Sequence, residues 1–182
     1  MITYGGPAVA PEDPSPESVK IAESLVILEF IVDIANGKLL PSDPVGRARA
    51  RFFTNFVSTA FVPAFQAVAL RGEHHDQLFA ALERVQALLP PEGFAAGPDF
   101  SIADAAIAPF FARLDVTLKG VGDELGLKAF QRLSTDPAFE RYRRYWADIQ
   151  AKDSYKKTFD EVRSFSAFSK HRILIYPQCR PT

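Results

Sequence analysis

Cysteine is almost missing from this sequence, because its 182 residues contain only one, Cys179. An intrachain disulfide is therefore excluded, and such sparse use of cysteine is typical of a reducing compartment. An excess of either charge is missing too, since 21 Lys and Arg residues stand against 22 Asp and Glu residues. This balance gives no electrostatic reason to expect a nucleic acid or an anionic membrane as partner.

Long hydrophobic runs are also lacking. The longest apolar stretch, Leu25 to Ile34, contains Glu29 and Asp33 and is too short to span a bilayer. The first residues have neither the basic start nor the apolar run of a secretory signal, so we predict a cytoplasmic protein. What the chain has in abundance is phenylalanine, with 16 residues, and its hydrophobic fraction of 47% predicts a folded protein with a substantial core.

The first 37 residues carry the strand patterns. Ile2 to Tyr4 and Val19 to Ile21 predict two short strands, which a proline-rich loop separates. Apolar residues at helical spacing follow, and Asn36-Gly37 is typical of a helix C-terminus. We therefore predict a helix from about Ser24 to Ala35.

From Ser42 onward the patterns are helical. Asp43 and Pro44 begin a long helix, in which Pro63 is expected to cause a kink. Further helices are predicted over Gln77–Leu89, over Ser101–Leu118, from Asp136 onward and over Thr158–Ser169.

The first local signal for function is the pair Glu23-Ser24, between a predicted strand and an apolar helix. At such a turn, unpaired backbone N–H groups and the Ser24 hydroxyl lie at the positive end of the helix dipole, which favours a carboxylate. Glu23 can accept a hydrogen bond from an ammonium group, so the pair is a candidate receptor for the zwitterionic head of an amino acid. The alternative is that Ser24 only caps the helix, and local chemistry alone favours this second interpretation.

The second local signal is Ser101 with Asp104 three residues later, preceded by Phe100. This spacing is a variant of the capping box, and Phe100 lies where a hydrophobic staple residue belongs. We therefore interpret Ser101 and Asp104 as structural residues that begin a helix. The following residues, Ala105 to Phe111, are apolar enough to predict a helix without a polar face.

The remaining candidates favour structural roles. His74 and His75 are adjacent, and neighbouring helical side chains diverge by about 100°, so no metal site is predicted. Cys179 has no partner histidine nearby in sequence and is interpreted as an incidental thiol. Aromatic residues at helical spacing, Tyr142, Tyr145 and Trp146, are expected to be core.

In sequence order, these signals resemble the glutathione transferase family. Val19 to Phe30 resembles the family's last strand and third helix, and Phe100 to Asp104 is similar to the capping box and staple of its sixth helix. Gly37 to Pro41, followed by Asp43-Pro44 and Arg47-Ala48, resembles the linker and the first helix of the family's all-helical domain. The proline-rich loop is similar to that of omega-like and fungal etherase-related members.

The resemblance implies a mainly α fold. Residues 1–37 would be two strands and a helix of a thioredoxin-like domain that binds glutathione, and residues 42–182 an all-α C-terminal domain. Glu23 and Ser24 would bind the γ-glutamyl group of glutathione, which is the cosubstrate, and an apolar small molecule would be the second ligand. Family members are commonly dimers, so we expect a homodimer.

The family's catalytic Ser, Tyr or Cys belongs to a segment without a counterpart in these 182 residues, so no catalytic residue is assigned. Three hypotheses stay open. The chain is a glutathione transferase that conjugates glutathione or reduces with its thiol, a non-catalytic helical binder of a ligand or protein, or one part of a full-length enzyme. From the sequence, we expect glutathione binding with little conjugation or thiol reduction.

Overall fold

The computed structural model describes residues 1–10, 12–120 and 124–160. Its strands are β1 (Ile2–Tyr4) and β2 (Val19–Ile21). Its helices are α1 (Ser24–Ile34), α2 (Pro44–Phe56), α3 (Val62–Ala69), α4 (Asp76–Leu88), α5 (Ile102–Gly120), α6 (Glu124–Thr135), α7 (Glu140–Ala151) and α8 (Asp153–Thr158). The predicted mainly α fold, with two strands and a helix before an all-helical part, is confirmed.

β1 and β2 form an antiparallel hairpin that packs on α1. Tyr4 lies opposite Val19, and its ring meets the Phe30 ring edge-on with 5.0 Å between centroids. In the loop, the Ser18 hydroxyl donates a hydrogen bond to the Gly5 carbonyl at 2.7 Å. Because an isolated two-stranded ribbon is marginally stable, the hairpin depends on its packing against α1.

α1 is attached to the helical part with little fully buried surface. Val32 is its only fully buried residue. Arg51 of α2 donates two hydrogen bonds to the Glu29 carboxylate, at 2.9 and 3.0 Å. Beyond α1, the Leu39 carbonyl accepts from the Ile102 N–H at 3.0 Å. The Arg51 and Glu29 side chains are 52% and 39% exposed, so the ion pair contributes about 1 kcal/mol at most.

α2, a π turn over Val57–Phe61 and α3 form one continuous helix. The Asp43 side chain caps its start and accepts a hydrogen bond from the Gly46 N–H at 2.8 Å. A kink was predicted at Pro63. The helix instead contains a π turn, which ends two residues before this proline. A wider turn accommodates the missing N–H and the bulky ring of a proline inside a helix.

By length and composition, this 26-residue helix is able to cross a membrane, and its most apolar 18-residue window has a mean hydropathy of 1.3. The sequence did not predict it, because this helix contains no long unbroken apolar run. The helix is weak support for a membrane span, since 44% of its most apolar window is buried inside the protein. Phe53, Phe61 and Phe65 are among its buried residues, as in the core helix of a globular domain.

The hydrophobic core surrounds α5. Phe111 is fully buried and meets the Phe61 ring edge-on, with 5.4 Å between centroids. On its other side it meets three rings of α7, those of Tyr142, Tyr145 and Trp146, at 5.0, 6.1 and 5.7 Å. The prediction that these three aromatic residues belong to the core is confirmed.

Two helices, α6 and α8, have no counterpart among the predicted ones. α6 turns Gly126 and Ala129 inward, whereas Leu125 and Leu127 are 56% and 50% exposed. The buried face of α6 is formed by Gly126, Ala129 and Leu133, and the exposed leucines beside it obscure the apolar periodicity in the sequence.

The helix predicted over Thr158–Ser169 does not begin at Thr158, which is instead the last residue of α8. Because α8 has only six residues, its sequence is too short for a clear period. The rest of that predicted helix and Cys179 lie outside the described residues.

A buried carboxylate joins the start of α5 to its surroundings. Asp104 is fully buried, and its Oδ2 accepts from the Ser101 N–H at 2.8 Å and from the Ser101 hydroxyl at 2.9 Å. Its Oδ1 accepts from the Ala95 N–H at 2.8 Å and from the Tyr145 hydroxyl at 2.6 Å. A buried charge is tolerated only when it is hydrogen-bonded in this way. The last two partners are distant in sequence and could not be found from the capping pattern.

Asp104→Ala should lower the free energy of unfolding by about 3 kcal/mol or more, because several buried donors lose their acceptor at once. The control is Asp43→Ala, which removes one part-buried capping bond and should cost about 1 kcal/mol. Denaturant unfolding of both variants and the parent measures the difference. Equal costs would show that the Asp104 contacts add nothing beyond an ordinary cap.

Two neighbouring tyrosines of α7 differ only in their hydrogen bonding. Burial raises the pKa of both Tyr142 and Tyr145 well above the ordinary value, and the charges of Asp115 and Asp104 respectively add to this effect. Both hydroxyls are therefore neutral at physiological pH. Tyr145 donates to Asp104, whereas the Tyr142 hydroxyl is buried without a hydrogen-bond partner among the described residues.

Tyr145→Phe should lower the free energy of unfolding by about 1–3 kcal/mol, because it leaves Asp104 short of a donor. Tyr142→Phe removes an unpaired buried hydroxyl, and we expect no loss or a gain of up to about 1 kcal/mol. Thermal and denaturant unfolding of the pair provide the measurement. A loss for Tyr142→Phe as large as that for Tyr145→Phe would contradict this explanation.

Candidate functional site

The first candidate site is the turn from β2 into α1. Glu23 has a φ of 68° and a ψ of 118°, a left-handed conformation that is rare outside glycine. Ser24 is the first residue of α1, and both side chains are exposed. Holding a side-chain-bearing residue at positive φ costs on the order of 1–3 kcal/mol, and such strain is common at ligand clamps.

The N-terminus of α1 has no side-chain cap. The Glu23 side chain makes no capping hydrogen bond, and the Glu23 carbonyl accepts the first intrahelical bond from the Ile27 N–H at 2.9 Å. The backbone N–H groups of Ser24, Leu25 and Val26 precede that bond, so the helix offers them to a ligand. The alternative that Ser24 is the N-cap is wrong, because Glu23 occupies the capping position.

The chemistry of this turn suits a zwitterion. Free N–H groups at the positive end of the α1 dipole bind a carboxylate, and the Ser24 hydroxyl can donate to the same group. Glu23 can bind an ammonium group beside it. Within the described residues, no hydrogen bond joins this pair to the buried pair Ser101 and Asp104, which lies at the start of another helix.

The second candidate site is a groove of about 430 Å³ between α5 and α8. It is lined by Phe100, Ala105, Ala108, Pro109, Ala112, Arg113, Ile149, Ser154, Tyr155, Thr158 and Phe159, and is called the α5–α8 groove below. Sequence reasoning missed it, because Ala105 to Phe111 was expected to be buried on all sides. Ala105 and Ala108 are half-buried instead, and Pro109 is exposed. The signal was the spacing of the small residues, which places them on one helix face.

Pro109 lies inside α5 and shapes one wall of the groove. Proline has no N–H, so it cannot donate the helical hydrogen bond to the Ala105 carbonyl four residues earlier. Both residues line the groove. On the groove side, this turn of α5 therefore carries only small side chains, and it lacks one internal hydrogen bond.

The two histidines are not on a helix, as the sequence analysis assumed, but directly before α4. His75 packs its ring against Phe79 with 6.3 Å between centroids. Among the residues that the structure describes, no group of three His, Cys, Asp or Glu side chains could hold a metal ion.

Known proteins share this fold. The family model for the C-terminal domain of glutathione S-transferases matches residues 47–147, which is more than half of the chain. The crystal structure of glutathione transferase Omega 1C from Trametes versicolor is 46% identical with a TM-score of 0.87, and the match covers 99% of this chain and 76% of that chain. Omega 2S from the same organism, crystallised in complex with 2,4-dihydroxybenzophenone, is 38% identical with a TM-score of 0.86, over 98% of this chain and 77% of that one.

A probable glutathione S-transferase from Glycine max is 34% identical over 93 residues, which are 47% of this chain and 41% of the relative. The matched segment thus spans less than half the length of such curated relatives. The family model and the close structural likeness over most of the Omega 1C protein nevertheless agree. The chain belongs to the glutathione S-transferase family.

Proposed function

We propose that this protein binds glutathione through Glu23 and Ser24 and an apolar aromatic molecule in the α5–α8 groove. Residues 1–37 form the glutathione-binding part and residues 42–182 the helical domain that holds the second ligand. Glutathione is the cosubstrate in this proposal, in the cytoplasm and without a metal, and little conjugation or thiol reduction is expected because no catalytic residue is assigned.

The observation that carries the proposal is the uncapped turn at Glu23 and Ser24. The γ-glutamyl end of glutathione has one carboxylate and one ammonium group, which match the free N–H groups of α1 and the Glu23 carboxylate respectively. The left-handed backbone at Glu23 supports a binding role, because a strained conformation without a structural use is selected against.

The α5–α8 groove supports the second ligand. Its volume falls in the range of small-molecule sites, and apolar residues with a few polar groups line it. A structural relative holds an aromatic ketone, 2,4-dihydroxybenzophenone. An aromatic ligand of similar size suits the groove of this protein.

Binding without catalysis is a second candidate function, and it uses the same two sites. The groups at Glu23 and Ser24 favour this candidate, because they hold a ligand and are not nucleophiles toward it. Retention on immobilised glutathione together with turnover of an electrophilic aromatic acceptor would support the enzyme. Retention without turnover would support the binder, and absence of retention would exclude both.

Ser24→Ala should weaken the binding of S-hexylglutathione by about tenfold or more, because one hydrogen bond to a charged carboxylate is lost. Ser134→Ala, a change at an exposed serine of α6, is the control and should leave the affinity unchanged. Isothermal titration calorimetry gives both dissociation constants. Unchanged affinity in Ser24→Ala would contradict the proposed glutathione site.

The expected homodimer is also part of the proposal. Val45 and Phe52 on α2 are 60% and 58% exposed, and both line a groove of about 510 Å³ beside the end of α4. Val26 and Ile34 of α1 are exposed as well. Large apolar side chains clustered on the surface are typical of an interface.

Phe52→Glu should shift the protein from dimer to monomer, because a buried unpaired charge in an interface is costly. Leu125→Glu replaces an equally exposed leucine on α6 and should leave the dimer intact. Light scattering at micromolar concentration measures the mass of each variant. A parent protein that is monomeric, or a dimeric Phe52→Glu variant, would contradict the proposed interface.

A further inference from the structure

We propose that the α5–α8 groove selects planar aromatic molecules that carry a carboxylate, and that Arg113 is the residue that recognises the charge. The inference rests on the proposed function and narrows its second ligand from any apolar molecule to aromatic acids.

The shape of the groove favours a flat ring. One wall consists of the small side chains of Ala105, Ala108 and Ala112 along α5. The lining also includes Tyr155 and Phe159, whose rings are stacked with 5.2 Å between centroids and only 18° between planes. A slot with a methyl-lined wall and an aromatic wall fits a planar ring better than a bulky aliphatic group.

The charge of the groove is positive. Among the described residues that line it, Arg113 is the only charged one. Ser154, Tyr155 and Thr158 are the hydroxyl-bearing residues of the lining, and the Thr158 hydroxyl donates to the Ser154 backbone carbonyl at 2.7 Å. The guanidinium is therefore the strongest polar group that a ligand meets there.

Most other arginines that the structure describes bind a carboxylate or a carbonyl, whereas Arg113 does not. No described carboxylate pairs with it, although it is exposed. Several other arginines are bound to carboxylates or carbonyls, namely Arg47, Arg51, Arg71, Arg132, Arg141, Arg143 and Arg144.

The position of the Arg113 guanidinium is set by its neighbour. Its Cζ lies 5.8 Å from the centroid of the Phe110 ring, within the range of a cation–π contact. Such a contact restricts the side chain but leaves the N–H groups available to a carboxylate, which the planar guanidinium binds with two parallel hydrogen bonds. Because Arg113 keeps contact with water, the expected selectivity is moderate.

The experiment compares biphenyl-4-carboxylate with its neutral analogue of the same shape, biphenyl-4-carboxamide. Both are titrated by calorimetry into the parent protein and into Arg113→Gln, Arg113→Lys and Arg84→Gln. Arg84 is an exposed arginine of α4 outside the groove and serves as the control. The single tryptophan, Trp146, contacts Tyr155 at 5.3 Å, so its fluorescence reports whether the ligand occupies the groove.

We expect the parent to bind the carboxylate about tenfold more tightly than the carboxamide, with a change in Trp146 fluorescence. Arg113→Gln should remove the preference for the carboxylate without changing the affinity for the carboxamide. Arg113→Lys should retain part of that preference, and Arg84→Gln should retain all of it. Equal affinities in the parent, an unaltered preference in Arg113→Gln, or no binding of either compound would overturn the proposal. S-hexylglutathione titrated into the same samples separates this failure from failure of the proposed function, because its binding does not require the groove.

Discussion

The fully buried carboxylate of Asp104 is the interaction on which most of this structure depends. It binds the loop before α5 at Ala95, the start of α5 at Ser101 and the middle of α7 at Tyr145. A charge in an apolar core is costly unless it is hydrogen-bonded, and each of these donors lowers that cost. The loop, α5 and α7 must therefore reach their final positions together. The conformation of the loop thus depends on the packing of these two helices.

The parts of the fold that could be predicted are those with local signals. Asp43 and Pro44 mark a helix start by their own chemistry, and the apolar period of α4 identifies its buried face. α6 could not be predicted, because it buries Gly126 and Ala129 and exposes leucines. The contact of Asp104 with Tyr145 spans 41 positions, and no sequence spacing encodes such a distance.

The candidate site was predictable in its residues but not in its geometry. The resemblance of the sequence to a known family pointed to Glu23 and Ser24, while local chemistry favoured a simple cap. The backbone excludes the simple cap, because Glu23 occupies the capping position and its side chain makes no capping hydrogen bond, whereas ligand binding at this turn stays a prediction. The α5–α8 groove escaped detection for a different reason. Alanines at helical spacing predict burial, and only the position of α8 shows that one face is left partly open.

The weak attachment of α1 has a consequence for how the molecule fluctuates. Val32, half-buried apolar side chains and a solvent-exposed ion pair hold this helix and its hairpin, whereas fully buried rings and a buried carboxylate hold the helices around α5. The hairpin and α1 should therefore open together as a separate unit, with faster amide hydrogen exchange than the bundle. Salt screens the Glu29–Arg51 pair and lowers the cost of that opening. A ligand that bridges the turn at Ser24 would slow the exchange of this unit in particular, because it binds only the closed form.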